Sequence, residues 1–115
     1  MARLTTHILD TMHGGPADGV NVRLYRLDGD RDLVASASTN RDGRTDKALL
    51  TEATMQTGTF ELEFDVGEYF SRREVPLPEP AFLDTVVIRF SIRDDEDYHV
   101  PLLVSPWSYS TYRGS

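Results

Sequence analysis

The chain contains no cysteine, so neither a disulfide nor a thiolate nucleophile can contribute to its fold or its chemistry. It has no apolar run approaching the roughly 20 residues that a membrane-spanning helix requires. Its opening residues, Met1-Ala-Arg-Leu-Thr-Thr, lack the apolar core of a secretory signal, and Arg-Gly-Ser at the end is not a peroxisomal Ser-Lys-Leu address; the expectation is a soluble, cytoplasmic protein. Positive charge is scarce as well: 12 Lys and Arg face 19 Asp and Glu, a net charge of −7, with no basic cluster of the kind that tracks phosphates. Nucleic acid and anionic membranes are therefore poor partners, whereas a small neutral or anionic ligand is compatible if a few cations are focused locally. Three histidines at positions 7, 13 and 99 have no metal-ligand spacing, and no Gly-x-Ser-x-Gly elbow, phosphate-binding loop or dinucleotide fingerprint is present. No metal site is expected. The acidic run Asp94-Asp-Glu-Asp97 lacks the spaced ligands and the glycine of a calcium loop, so it reads as a solvated turn.

What remains is a pattern of short alternating segments. With 115 residues, of which 39% are apolar and 27% charged, the chain suits one domain, residues 1–115. Thr5–Leu9 reads as a strand ended by Asp10 and the Gly14-Gly15-Pro16 punctuation. Val20–Leu27 alternates clearly, with Val20, Val22 and Leu24 on one face, and Asp28-Gly29 turns the chain. Leu33–Thr39 is a third strand, after which Asn40-Arg-Asp-Gly43 is a strong turn signal that delivers Arg44 and Thr45. Thr59–Phe64 places Phe60, Leu62 and Phe64 on one side. A brief helix follows, with Asp65 as N-cap, Glu68 as the N3 residue, and Val66, Tyr69 and Phe70 on its buried face. After the Pro76, Pro78 and Pro80 cluster come strands at Thr85–Ile92, Tyr98–Val104 and Trp107–Arg113. Seven or eight short strands with one short helix predict an all-β sandwich, and the short gaps favour antiparallel pairing. Residues 46–56 fit a helical turn or a loop with a stub of strand equally well.

Local context leaves the polar candidates ambiguous. His7 shares a strand face with Thr5 and Leu9, as an ordinary half-buried histidine would. His99 enters a strand containing Pro101, which belongs on an edge or at a bulge because proline donates no ladder hydrogen bond. Arg44 would by default be a solvated cation, and His13, beside two glycines, a plain loop residue. The closing Tyr112-Arg113-Gly114-Ser115 brings a phenol, a guanidinium, a flexible joint, a hydroxyl and a terminal carboxylate within one short reach, although a chain end is by default frayed.

Four segments taken together carry more. Leu4-Thr-Thr-His-Ile-Leu-Asp-Thr11, Thr39-Asn-Arg-Asp-Gly-Arg-Thr45, Gly67-Glu-Tyr-Phe70 and the run from His99 to Ser115 resemble the transthyretin-like 5-hydroxyisourate hydrolases over nearly the whole chain. The resemblance implies a transthyretin-type β-sandwich assembled as a homotetramer with sites in clefts between subunits. It implies hydrolysis of 5-hydroxyisourate to 2-oxo-4-hydroxy-4-carboxy-5-ureidoimidazoline in urate catabolism, with no cofactor. His7, Arg44, His99 and Ser115 match the family's catalytic positions, and Arg44, Tyr112, Arg113 and Gly114 those expected to hold substrate. Met12-His13 and Gly15 depart from the small or basic residues common in relatives, which touches loop contacts and not the chemistry. Opening a cyclic amide with water suits these groups: an imidazole with an ordinary pKa of about 6.5 can take the proton, and a guanidinium can hold the charge developing on oxygen. Either histidine can be the base. Two rivals stand beside this reading: a hormone-carrying binding module of the transthyretin kind, and a purely structural sandwich, which would not account for the polar, aromatic, charged end.

Overall fold

A computed structural model describes residues 2–114. Eight strands and one helix succeed one another: β1 (Leu4–Asp10), β2 (Gly15–Pro16), β3 (Asn21–Asp28), β4 (Asp30–Ser38), β5 (Gly58–Asp65), α1 (Val66–Arg72), β6 (Thr85–Ile92), β7 (Tyr98–Val104) and β8 (Tyr109–Thr111). They form two four-stranded sheets, ordered β2-β1-β7-β8 and β4-β3-β5-β6. The alternation in the sequence becomes the two faces of each strand. In β1, Leu4, Thr6, Ile8 and Asp10 point inward, while Thr5, His7 and Leu9 stay half-buried on the outer face. Leu4, Ile8, Val22, Leu24, Phe60, Leu62, Phe64, Val100 and Leu102 from both sheets meet in one apolar cluster, closed at one end by Tyr69 and Phe70 of α1. This is the expected all-β sandwich.

Three expectations meet a different outcome. Pairing is antiparallel everywhere except between β1 and β7, which run parallel, Thr5 beside His99 and His7 beside Pro101. The short gaps that argue for antiparallel neighbours do not constrain strands so distant along the chain. Second, β7 is an inner strand and not an edge. Pro101 is tolerated because its carbonyl faces β8, accepting a hydrogen bond from the Thr111 hydroxyl at 2.7 Å, so its missing N–H falls where the β8 ladder has already stopped. The last strand is accordingly short, Tyr109–Thr111 instead of Trp107–Arg113. Third, Asp65 sits at the N-cap but makes no capping hydrogen bond. Its carboxylate accepts two bonds from the Arg23 guanidinium at 2.7 and 2.8 Å, and Glu68 turns to Arg72 at 2.7 Å. A charged fork is the stronger donor here.

The undecided segment 46–56 runs along the free side of β1. Leu4 donates to the carbonyl of Leu50 at 3.0 Å and accepts from Leu49 at 2.8 Å, and both leucines are buried. His13 is more than a loop residue: its ring bonds Asp10 Oδ2 at 2.5 Å, and the Tyr69 hydroxyl donates to the same oxygen at 2.7 Å. Although burial pushes the Asp10 carboxyl up, these donors hold it below the usual carboxylate range. Asp10 thereby ties the start of the β1–β2 turn to α1.

Candidate active site

The outer face of the first sheet carries the chemistry. Parallel pairing of β1 with β7 sets Thr5 directly beside His99 and places His7 two residues further along the same face. The Thr5 hydroxyl and His99 Nδ1 lie 2.8 Å apart, so the imidazole is held at one nitrogen. Arg44 arrives from the opposite side of β1, where it bridges to His7. The turn that brings it there is tightly specified. Asn40 accepts the Gly43 N–H at 2.9 Å, Gly43 in turn accepts the Ile8 N–H at 2.8 Å, and the Asn40 N–H closes on the Arg44 carbonyl at 2.8 Å. Gly43 has φ +75, and a Cβ there would stand 2.5 Å from the Ile8 carbonyl oxygen, so this approach of the turn to β1 requires glycine.

The result is a cleft of about 320 Å³ lined by Arg3, Thr5, Arg44, Asp97, Tyr98 and His99. Among the described residues Arg44 makes no salt bridge, which leaves its donors available to a ligand. At the far rim Gly114 donates its N–H to the His99 carbonyl at 2.7 Å and lies so close that a Cβ would be 2.8 Å from His99 Cδ2. Tyr112 is 61% exposed. Arg113 turns away from the histidines: its guanidinium donates to Glu96 at 2.7 Å and to the Asp97 carbonyl at 3.2 Å. Ser115 lies outside the described residues. The structure thus brings together His7, Arg44, His99 and Gly114, and separates the Arg113 side chain from them. Thr5, Arg3, Asp97 and Tyr98 are cleft residues that sequence reasoning did not single out as such. The shared face of Thr5 and His7 was visible in the alternation, but the strand placed against them was not. Among the described residues no group of three His, Asp or Glu side chains gathers as metal ligands.

Both imidazoles are held below their ordinary pKa. Burial is the larger cause in each, and the Arg44 charge adds to it; for His7 the backbone at Asp42 opposes the shift, and His99 is further lowered by His7. At neutral pH the cleft therefore presents the neutral imidazole of His99 with the guanidiniums of Arg3 and Arg44, and the neutral imidazole of His7 stands beside Arg44. If one of them serves as base, kcat/KM should stay level as pH drops to the ordinary histidine value near 6.5 and decline only below it. Stability should follow the same sign. Between pH ~6.5 and the lower folded value the unfolded chain binds more protons, so acid weakens the fold in that window. A pH–rate profile paired with melts checks both; a rate already halved at pH 7 would contradict neutral imidazoles.

A sandwich of two four-stranded sheets, with a histidine pair and an arginine on the outer face of one sheet, is a transthyretin-type architecture carrying a polar cleft. The chain belongs to the HIUase/Transthyretin family, whose model matches residues 4–114. It is 53% identical over 117 residues to the 5-hydroxyisourate hydrolase of Pseudomonas aeruginosa, an alignment covering 100% of this chain and 93% of that protein. The crystal structure of an (S)-allantoin synthase superposes with a TM-score of 0.94 at 44% identity, covering 99% of this chain and 44% of that longer one. Sea bream transthyretin, solved in complex with thyroxine, superposes with a TM-score of 0.86 at 27% identity over 97% of this chain and 94% of that one. No helix among the described residues is long and apolar enough to cross a membrane.

Proposed function

We propose that this chain hydrolyses 5-hydroxyisourate to 2-oxo-4-hydroxy-4-carboxy-5-ureidoimidazoline, acting as a cytoplasmic homotetramer in urate catabolism and requiring no cofactor. The observation that carries the reading is the placing of His99 and Arg44 in the wall of one cleft, with His7 bridged to Arg44 beside it, in a chain 53% identical to a protein named for that activity. A neutral imidazole of the pair takes a proton from water as the oxygen attacks the ring carbonyl. Arg44 stabilises the negative charge that forms on the carbonyl oxygen, since its guanidinium stays protonated and its donors are fixed. Collapse of the adduct breaks the ring C–N bond, leaves a carboxylate, and returns the proton to the departing nitrogen. Thr5 orients His99, and the segment Tyr112–Ser115 closes the cleft around substrate. The carrier reading is disfavoured by the polar lining, since a thyroxine-like ligand is large and mostly apolar and a wall of two guanidiniums, a carboxylate and an imidazole suits it poorly.

The direct test generates 5-hydroxyisourate with urate oxidase and follows the decay of its ultraviolet absorbance. Decay should accelerate on addition of the protein, unchanged by a chelator. Decay at the spontaneous rate sinks the enzyme reading.

The tetramer is supported by what the sandwich leaves uncovered. The β8 edge is exposed along its length, its first residue Tyr109 and the nearby Trp107 are 46% and 57% exposed, and the cleft is open on the outer face of its sheet. An unpaired edge flanked by aromatics suits burial against a symmetric copy, which would also wall the cleft. Light scattering should give four times the chain mass; a fully active monomer would contradict a site shared between subunits.

A further inference from the structure

We propose that the acidic turn Asp94–Asp97, together with Tyr98, is a clasp that grips Arg113 and so docks the backbone of Gly114 on His99. In this assignment, which rests on the hydrolase reading for its kinetic consequence, Glu96, Tyr98 and Arg113 are positioning residues. Arg113 does not touch substrate, and the acidic turn is not mere solvated chain.

The need for a clasp arises from Pro101. The β7–β8 ladder ends at Leu102 beside Thr111. The next pair in that register, Pro101 with Tyr112, lacks the proline N–H, and Tyr112 and Arg113 belong to no strand. Pairing resumes only at His99 and Gly114, through a single backbone bond of 2.7 Å. One hydrogen bond beyond an unpaired, exposed dipeptide does not hold a segment against fraying.

Arg113 supplies what the ladder omits. Its guanidinium donates to Glu96 Oε1 at 2.7 Å and to the Asp97 carbonyl at 3.2 Å, and it lies over the Tyr98 ring at 4.2 Å from the centroid. Both charged partners are about half exposed, so the ion pair alone would contribute little. The planar cation on an aromatic face, which an ammonium reproduces poorly, is the larger part of the grip. The platform itself is anchored. The Tyr98 hydroxyl accepts from the N–H groups of Arg93 and Asp94 at 3.0 and 3.2 Å, the Tyr98 N–H donates to the Arg3 carbonyl at 2.8 Å, and the Asp97 carboxylate accepts the Arg3 N–H at 2.9 Å. The clasp therefore spans the start of β1, the start of β7 and the C-terminal segment, all within the rim of the cleft.

The test uses the full chain and two independent readouts. Native-state hydrogen exchange of the Gly114 amide reports docking, and steady-state hydrolysis of 5-hydroxyisourate reports its consequence. In Arg113→Ala the Gly114 amide should exchange at least about tenfold faster, and kcat should fall about tenfold, with KM changing less and the melting temperature unchanged. Glu96→Gln, a surface change that should leave the fold alone, is expected to show both effects in smaller measure, and Arg113→Lys to restore them only in part. The acid limb of the pH profile should stay where it is in the native chain. Native Gly114 protection in Arg113→Ala overturns the clasp. Lost activity with Gly114 still protected also overturns it, and would place Arg113 on substrate. The exchange measurement stands even if the native chain proves unable to hydrolyse 5-hydroxyisourate, so failure of the clasp and failure of the hydrolase reading are told apart.

Discussion

Replacing Arg44 with alanine should lower turnover of 5-hydroxyisourate by about two orders of magnitude or more, and His7→Ala by a similar factor, the usual range for loss of an oxyanion donor or a general base. Neither change should unfold the protein. Arg44 is exposed and free of salt bridges among the described residues, and His7 lies on the outer face of β1, away from the apolar cluster. The position of Arg44 is held by backbone contacts of the Asn40–Gly43 turn, so removing its side chain deletes a charge without releasing the loop. A second consequence is common to the two variants. The Arg44 charge helps to depress both imidazoles, so in Arg44→Ala the residual activity should lose its acid limb at a higher pH than in the native chain. In His7→Ala the remaining histidine loses a depressing neighbour, and its limb should also move upward. Rate profiles of the two variants over pH 5 to 8 decide this. Either variant keeping most of its activity while still folded would return its residue to an ordinary surface role.

Deleting Tyr112–Ser115 should be equally severe for catalysis and nearly silent for the fold. None of the described residues in this segment belongs to the apolar cluster, and the ladder that secures β8 ends before it, so the melt should shift little. The cleft would lose its rim: Gly114 lies against the His99 ring closely enough to leave no room for a methyl group. The smaller change Gly114→Ala tests the same contact from the other direction. Its Cβ would meet His99 Cδ2 at 2.8 Å, and because Thr5 holds the opposite side of the ring, the imidazole can yield only by giving up that bond. We expect roughly a hundredfold loss for the deletion, as for other catalytic positioning elements, and a smaller loss for the substitution. Full activity in the deletion would make the segment a frayed end.

Strand alternation, the Asn40–Gly43 turn, the helix after β5 and the groups excluded by absence were all legible locally, because period-two burial and turn chemistry act over a few residues. Phe60, Leu62 and Phe64 announced a buried face, and they form one. The gathering of His7, Arg44 and His99 was suggested by likeness to a family and by nothing in their spacing. Thr5 and His99 are 94 positions apart, and only the packing of two sheets makes their strands neighbours. The same holds for the acidic turn. Its four residues are exposed, as expected of a solvated turn, but Glu96 also meets Arg113, which only the fold brings over, and Asp65 looked like a cap because Arg23 stands on another strand. The sequence by itself determined which residues could face a core, where the chain could turn, and which chemistries were closed to it, since each depends on short-range sterics and side-chain type. Tertiary structure alone decided which strand lies beside which and in what direction. That choice is made by burying the faces of all eight strands and one helix at once, and a local window contains no trace of it.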